Sequence, residues 1–219
     1  IIKPLKKKSL NFKNNKSYFL FLNRKILVKN FRLNEKNFPK LLIYNLHYFD
    51  YLNDHKNKNF YNINKLQLIY EWIEFIKLKP ISFGLDAYPT SLRISNWIKW
   101  IIENKIDDNV INTSLYSQLC YLEGFIEYNI LANHLIANAK ALIFGGLFFS
   151  GSSSKLIYKK GIKLLMQEID NQILDDGGHF EQSPMYHNII LEDFLDIYNI
   201  LKSYKKFYEI KKLKLENII

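Results

Sequence analysis

NHLIANAKALIFGGLFFSGSSSKLIYKKGIKLLMQEIDNQIL, residues 133–174, holds two helical patterns with almost nothing between them. Leu135, Ile136, Ala139, Leu142 and Ile143 recur at helical spacing and leave the pattern at 133–149 apolar around most of its circumference. A second pattern fills 152–174, and only Ser150 and Gly151 separate the two. Long helices joined by so short a connector must lie antiparallel. An αα-hairpin is therefore the building unit.

The same pattern continues on both sides. Leu66, Leu68, Ile69, Trp72, Ile73, Phe75 and Ile76 mark a helix that begins near Lys65 and stops at Pro80. Leu92, Ile94, Trp97, Ile98, Trp100 and Ile101 mark another over 90–104, with Pro89 just before it, and further helices cover 110–130 and 188–212. Leu131 and Ala132 alone link 110–130 to the next helix. No strand pair with a hairpin turn competes, although ISFGLDAY at 81–88 has room for a short extended piece. The expected fold is all-α: antiparallel helical hairpins in a double layer with a largely buried inner ring. Without a visible sequence repeat this reads as an irregular, incomplete (α/α) toroid rather than a regular solenoid. Residues 61–219 would form the toroid and 1–60 a segment packed on it. LLIYNLHYFDYL at 41–52 reads either as a helix or as a buried extended segment, with Tyr44, His47, Tyr48 and Phe49 beneath the helical body.

With 219 residues, 48% of them apolar and 16% aromatic, the chain is long and apolar enough for a packed body. The single Cys120 excludes an intrachain disulfide and a cysteine-based zinc cluster. A net charge of +10, with lysines clustered at 6–8 and 202–214, favours polyanionic partners of every kind. Abundant Lys, Asn and Ile equally suit a solvated surface, so charge selects no partner. The most apolar run, ALIFGGLFF at 141–149, falls well short of the ~18–20 residues of a membrane span, and no transmembrane helix is expected. The sequence starts at Ile1, and 1–8 has neither the apolar core nor the cleavage site of a signal peptide, as in a fragment whose true start is missing.

One connector is far richer than a turn requires. DDGGHFEQSPMYH at 175–187 carries Gly177 and Gly178 for turning and Pro184 to fix the backbone, but also His179, Glu181, Tyr186 and His187. A tyrosine can act as acid or base when nearby cations lower its phenol from the usual ~10. Upstream, Asn133 stands where an N-cap belongs, and His134 projects from the first turn. Asn133 either caps the helix or, together with His134, offers hydrogen bonds to a carboxylate.

NH at 133–134, followed by SPMYH at the end of a DGGHFE loop, resembles the heparinase II/III-like polysaccharide lyases. The resemblance also takes in YNLHYFDYL at 44–52, PTSLRISNW at 89–97 and NHLIANAKALIFGGLFF at 133–149, in the family's order, from Tyr44 to about Tyr198. It implies β-elimination on a uronic-acid-containing polysaccharide, either heparan sulfate/heparin-like or alginate-like, without a cofactor or metal. On this mapping Asn133 and His134 neutralise the carboxylate at C5, and Tyr186 removes the C5 proton and can return one to the leaving oxygen. Arg93 either binds a substrate carboxylate or sulfate or holds a helix pair together. Glu181 and His187 orient Tyr186 or line the cleft, and His179 supports the loop. The resemblance further implies a periplasmic or secreted protein, with a cytoplasmic one as the alternative. It also implies a β-sandwich domain beyond Ile219 that supplies another catalytic side chain, so that residues 1–219 alone would have little activity.

Two other readings stay open. Toroid glycoside hydrolases and unsaturated-uronyl hydrolases use carboxyl groups, and Asp86, Asp175, Asp176 and Glu181 are available for that chemistry. The third is a basic helical module that binds acidic polymers without turnover. A nucleic-acid partner is not expected, since no recognition motif accompanies the lysines.

Overall fold

The computed structural model describes residues 38–53, 62–78, 82–130 and 132–219, with 10–13, 16–21, 24–27 and 62–64 as backbone only. The lysines at 6–8, the Pro80 helix stop and Leu131 lie outside the described residues. The body is helical, as the periodicity predicts. Ahead of it comes a three-stranded antiparallel meander of β1 (Leu10–Lys13), β2 (Lys16–Phe21) and β3 (Arg24–Leu27), with Leu10 opposite Phe19 and Tyr18 opposite Leu27. Its strands are short, and no Asn-Gly or Asp-Gly pair announces the turns between them.

The described residues divide into two compact units, with the boundary between Gln118 and Leu119. The N-terminal unit contains α1 (Lys40–Tyr48), α2 (Asn62–Leu78), α3 (Ala87–Asn104) and the first part of α4 (Asn109–Gly124). LLIYNLHYFDYL is thus a helix, followed by a 3₁₀ turn at Asp50–Asn53. Within ISFGLDAY, of which Ile81 lies outside the described residues, an extended Ser82 leads into a 3₁₀ turn at Phe83–Leu85, where Ser82 Oγ accepts from Gly84 N at 3.1 Å and closes the chain on itself. The core of this unit is aromatic. Trp97 meets Trp72 and Phe49 edge to face, with ring centroids 5.4 and 5.3 Å apart, and all three side chains are fully buried.

The C-terminal unit holds the end of α4, then α5 (Asn133–Phe148), α6 (Ser152–Gln172), α7 (Pro184–Ser203), α8 (Phe207–Lys212) and α9 (Leu215–Ile218). Several expected boundaries move, and the helix expected over 90–104 starts at Ala87. The helix expected over 110–130 ends at Gly124. The one expected over 188–212 starts at Pro184, which suits a first helical position because it has no amide to satisfy, and it breaks after Ser203. There Lys205 adopts φ 57 and Lys206 N returns to Leu201 O at 2.8 Å, a helix end that glycine usually makes.

α5 packs against both α6 and α7. Leu135, Ile136, Leu142, Ile143 and Phe144 are all buried, worth on the order of 10 kcal/mol of gross hydrophobic stabilisation. α5 and α6 run antiparallel at close range: a Cβ on Gly146 would stand 2.6 Å from Tyr158 N, and one on Gly161 3.0 Å from Ile143 N. No helix among the described residues is long and apolar enough to cross a membrane.

Candidate active site

Asn133 is the first helical residue of α5, and the cap position belongs to Ala132, whose backbone sits at φ 51, ψ −143. This corrects the expectation of an asparagine cap: Asn133 lies one position further in and is buried, 9% exposed. The Ala132 carbonyl accepts from Leu135 N at 3.1 Å and from Gln172 Nε2 at 2.9 Å. Next along the helix, His134 Nδ1 lies 2.9 Å from Glu127 Oε2. A carboxylate only accepts, so Nδ1 carries the proton. Glu127 is itself held, because its amide donates at 3.0 Å to Oδ1 of the fully buried Asn138.

The rich connector begins as a small hairpin. Ile173 and His179 form a β-bridge, Phe180 N donates to Gln172 O and Leu174 N to Gly178 O, both at 2.9 Å. Gly177, at φ 82, supplies the left-handed turn, and Asp176 Oδ1 accepts from Gly178 N at 2.8 Å. His179 is 2% exposed and donates from Nε2 to Gln172 Oε1 at 3.0 Å. Its Nδ1 has no hydrogen bond, and Glu181 Oε2 is 3.7 Å away. Burial pulls the imidazole below its ordinary 6.5; the Glu181 charge opposes that shift and His187 adds to it. His179 is therefore a neutral strut. Gln172 joins the hairpin to the start of α5, so the two motifs, far apart in sequence, meet through one buried amide.

Beyond the hairpin, Gln182 takes φ 51 and Pro184 opens α7. Tyr186 lies in the first turn of α7, half-buried, with Glu181 and His187 exposed beside it in sequence.

The relation of α5 to α7 follows from three contacts. Lys140 Nζ on α5 reaches Asp193 Oδ1 at 2.5 Å and Asp196 Oδ2 at 3.2 Å on α7. Tyr158 on α6, which abuts Gly146 near the end of α5, also has the Lys206 ammonium 5.8 Å from its ring, just past the end of α7. The two helices thus run parallel, and their N-termini lie at the same end. Lys140 and Asp193 are 53 residues apart, the interval from position 133 to position 186. Asn133 and Tyr186 each precede that contact by a heptad, which returns to within about 20° of the same helical face after about 10 Å of rise. Regular helical spacing would thus set Asn133 on the α7 side of α5 and Tyr186 on the α5 side of α7.

Arg93 belongs to the N-terminal unit and has no exposed surface. It donates to Gln118 Oε1 (2.6 Å), Gly84 O (2.8 Å), Thr90 Oγ1 (3.1 Å) and His47 O (3.3 Å), and its guanidinium lies 4.0 Å from the Trp72 ring centroid. Burial brings its pKa down to about 9, which leaves a cation at neutral pH. Of the two readings of Arg93, this geometry is that of the internal tie. Among the carboxyl groups of the hydrolase reading, Asp86 accepts from Tyr44 and pairs with Lys40 at 3.0 Å, and Asp176 closes the hairpin turn. Among the described residues no group of His, Cys, Asp and Glu could hold a metal ion.

Glu127, Asn138, Lys140, Gln172, Asp193 and Asp196 did not emerge from the sequence. Lys140 carried the clearest signal, as a lone charge within an apolar helix.

Residues 93–213 match the family described as Heparinase II/III N-terminus. The chain is similar to a heparin-sulfate lyase of Bacteroides stercoris, 35% identical over 35% of this chain and 12% of that protein. It is also similar to a heparin-sulfate lyase of Pedobacter heparinus, 32% identical over 41% of this chain and 13% of that protein. The matched stretch is thus about an eighth of each relative's length. No solved structure matches the chain.

Proposed function

This chain belongs to the heparinase II/III N-terminus family, and from that premise we propose that it forms the helical part of a polysaccharide lyase acting on uronic-acid-containing chains. The observation that carries the reading is the Lys140–Asp193 contact between two parallel helices, with Asn133 and Tyr186 each one heptad before it, toward the end where the Gln172 knot gathers the DGGHFE hairpin. A uronate carboxylate seated at the start of α5 accepts from the Asn133 amide and, when both ring nitrogens of His134 carry protons, from its Nε2, since Nδ1 is committed to Glu127. Those hydrogen bonds strengthen as negative charge moves from C5 onto the carboxylate, so they lower the barrier more than they tighten binding. Tyr186 takes the C5 proton, the C–H pair becomes the C4–C5 double bond, and the C4–O bond breaks with protonation of the departing glycosidic oxygen. Glu181 and His187, exposed on either side of Tyr186 in the chain, line the approach. The printed names of the two relatives favour a heparan-type polymer over an alginate-type one. In this reading the antiparallel hairpins are part of an (α/α) toroid, a domain outside these residues supplies a further proton-transfer side chain, and Arg93 supports the N-terminal unit from within.

The test is Tyr186→Phe in the full-length protein, assayed by the ultraviolet absorbance of the unsaturated product. Near-complete loss of product with retained fold and polysaccharide binding is expected. Elimination at close to the unmodified rate would exclude Tyr186. New reducing ends without absorbance from the unmodified protein would mark a hydrolase, and salt-sensitive binding without any cleavage a polyanion-binding module.

A further inference from the structure

The cluster of Lys140, Asp193 and Asp196 takes no part in the proposed chemistry. It is nonetheless a costly feature: all three residues are buried, 4%, 4% and 8% exposed, with one cation facing two carboxylates. Burial alone would pull the Lys140 ammonium down, and the two aspartates, with Glu192 farther off, more than reverse this and hold it well above its ordinary value. A buried ion cluster is commonly no more stabilising than an apolar set of the same size, while removal of one partner is strongly destabilising. Affinity between the helices therefore does not explain its presence.

Register does. Around Lys140, the residues three and four positions away on its face of α5, Ile136, Ala137 and Phe144 among them, are apolar and buried. Sliding or turning such a helix against α7 exchanges one apolar contact for another of similar area. Against α7 it is Lys140 that resists, because a shift of one turn, about 5.4 Å, strips it of both carboxylates. Asp193 and Asp196 are three residues apart on one face of α7, so together they fix both height and rotation. We propose that Lys140, Asp193 and Asp196 are positioning residues that set the register of α5 against α7 and so hold Asn133 and Tyr186 opposite each other. This rests on the lyase reading for its catalytic consequence, and on geometry alone for the register itself. A displacement near 1 Å at a reacting group is enough to lose two orders of magnitude in rate.

The experiment uses the full-length protein in a Cys120→Ser background, with nitroxide labels at Gln167 on α6 and Asn188 on α7, both exposed. The variant carries Lys140→Met, Asp193→Leu and Asp196→Leu together. Expected are a folded protein, an interlabel distance distribution broadened or shifted by about 3 Å or more, half a helical turn, kcat lower by at least about 30-fold, within the loss such a displacement brings, and KM little changed. An unaltered distance distribution overturns the proposal, and so does a shifted distribution with kcat retained. Should the triple variant fail to fold, Lys140→Met with Asp193→Asn and Asp196→Asn carries the same test, since it removes the cation that both contacts need while keeping the shape of the aspartates. A shifted register in a protein whose unmodified form makes no unsaturated product would uphold the pin and sink the lyase reading.

Discussion

Gln172 and His179 are hydrogen-bonded at 3.0 Å inside the C-terminal unit, and the same Gln172 amide donates to the Ala132 carbonyl and, at 2.6 Å, to Glu168. One side chain thereby fixes the start of α5, the end of α6 and the hairpin that leads to Tyr186.

Gln172→Leu is expected to destabilise the protein by about 3 kcal/mol, because it takes the Gln172 partner from the buried His179 imidazole and the buried Glu168 carboxylate. Urea unfolding measures this directly. A cost below about 1 kcal/mol would mean that the knot bears little of the hairpin's stability.

His179 makes stability depend on pH in a defined direction. Its folded pKa lies below the ordinary 6.5, so the unfolded chain binds a proton more readily than the native state. The stabilisation is complete above about pH 6.5 and is lost as pH falls from there through the lower folded value. His179→Gln should flatten the stability profile between pH 7.5 and about pH 5. An equally steep acid loss in that variant would assign the effect to another group.

Asn133→Ala should cost little stability, since Ala132 and not Asn133 occupies the cap. A loss under about 1 kcal/mol is expected, against about 1 kcal/mol or more for a true cap. Elimination by the full-length variant should nevertheless fall at least about 100-fold, the scale of removing one donor to a developing oxyanion. Activity that merely followed the folded fraction would remove Asn133 from the chemistry.

For Arg93→Lys, the expected loss is about 3 kcal/mol of stability, because an ammonium cannot reproduce four divergent hydrogen bonds and the stacking on Trp72. The surviving folded protein should keep its KM. A raised KM with unchanged thermal stability would instead place Arg93 against the substrate.

How far the sequence discloses this arrangement depends on which signal each residue carries. α5 and α6 were legible because a long apolar period and a two-residue connector admit one geometry. The break between α7 and α8 was hidden because a lysine, Lys205, takes the left-handed position where glycine would have marked the stop. Asn133 and Tyr186 stood out through the motifs around them, but their facing did not. It follows from Lys140 and Asp193, and a lysine in a helix ordinarily reads as surface. Glu127 and Gln172 gave no signal, since the groups they bind lie in other segments of the chain.

All three tryptophans, Trp72, Trp97 and Trp100, are buried in the N-terminal unit, and the C-terminal unit has none. Intrinsic tryptophan emission is therefore a private reporter of residues up to Gln118, blind to the helices that carry Asn133 and Tyr186. Cys120, exposed and just past the boundary, offers the complementary handle, a single thiol for a dye on the other unit. Two colours followed in one denaturant titration would reveal whether the halves melt together or in sequence, and coincident curves would make them one cooperative body.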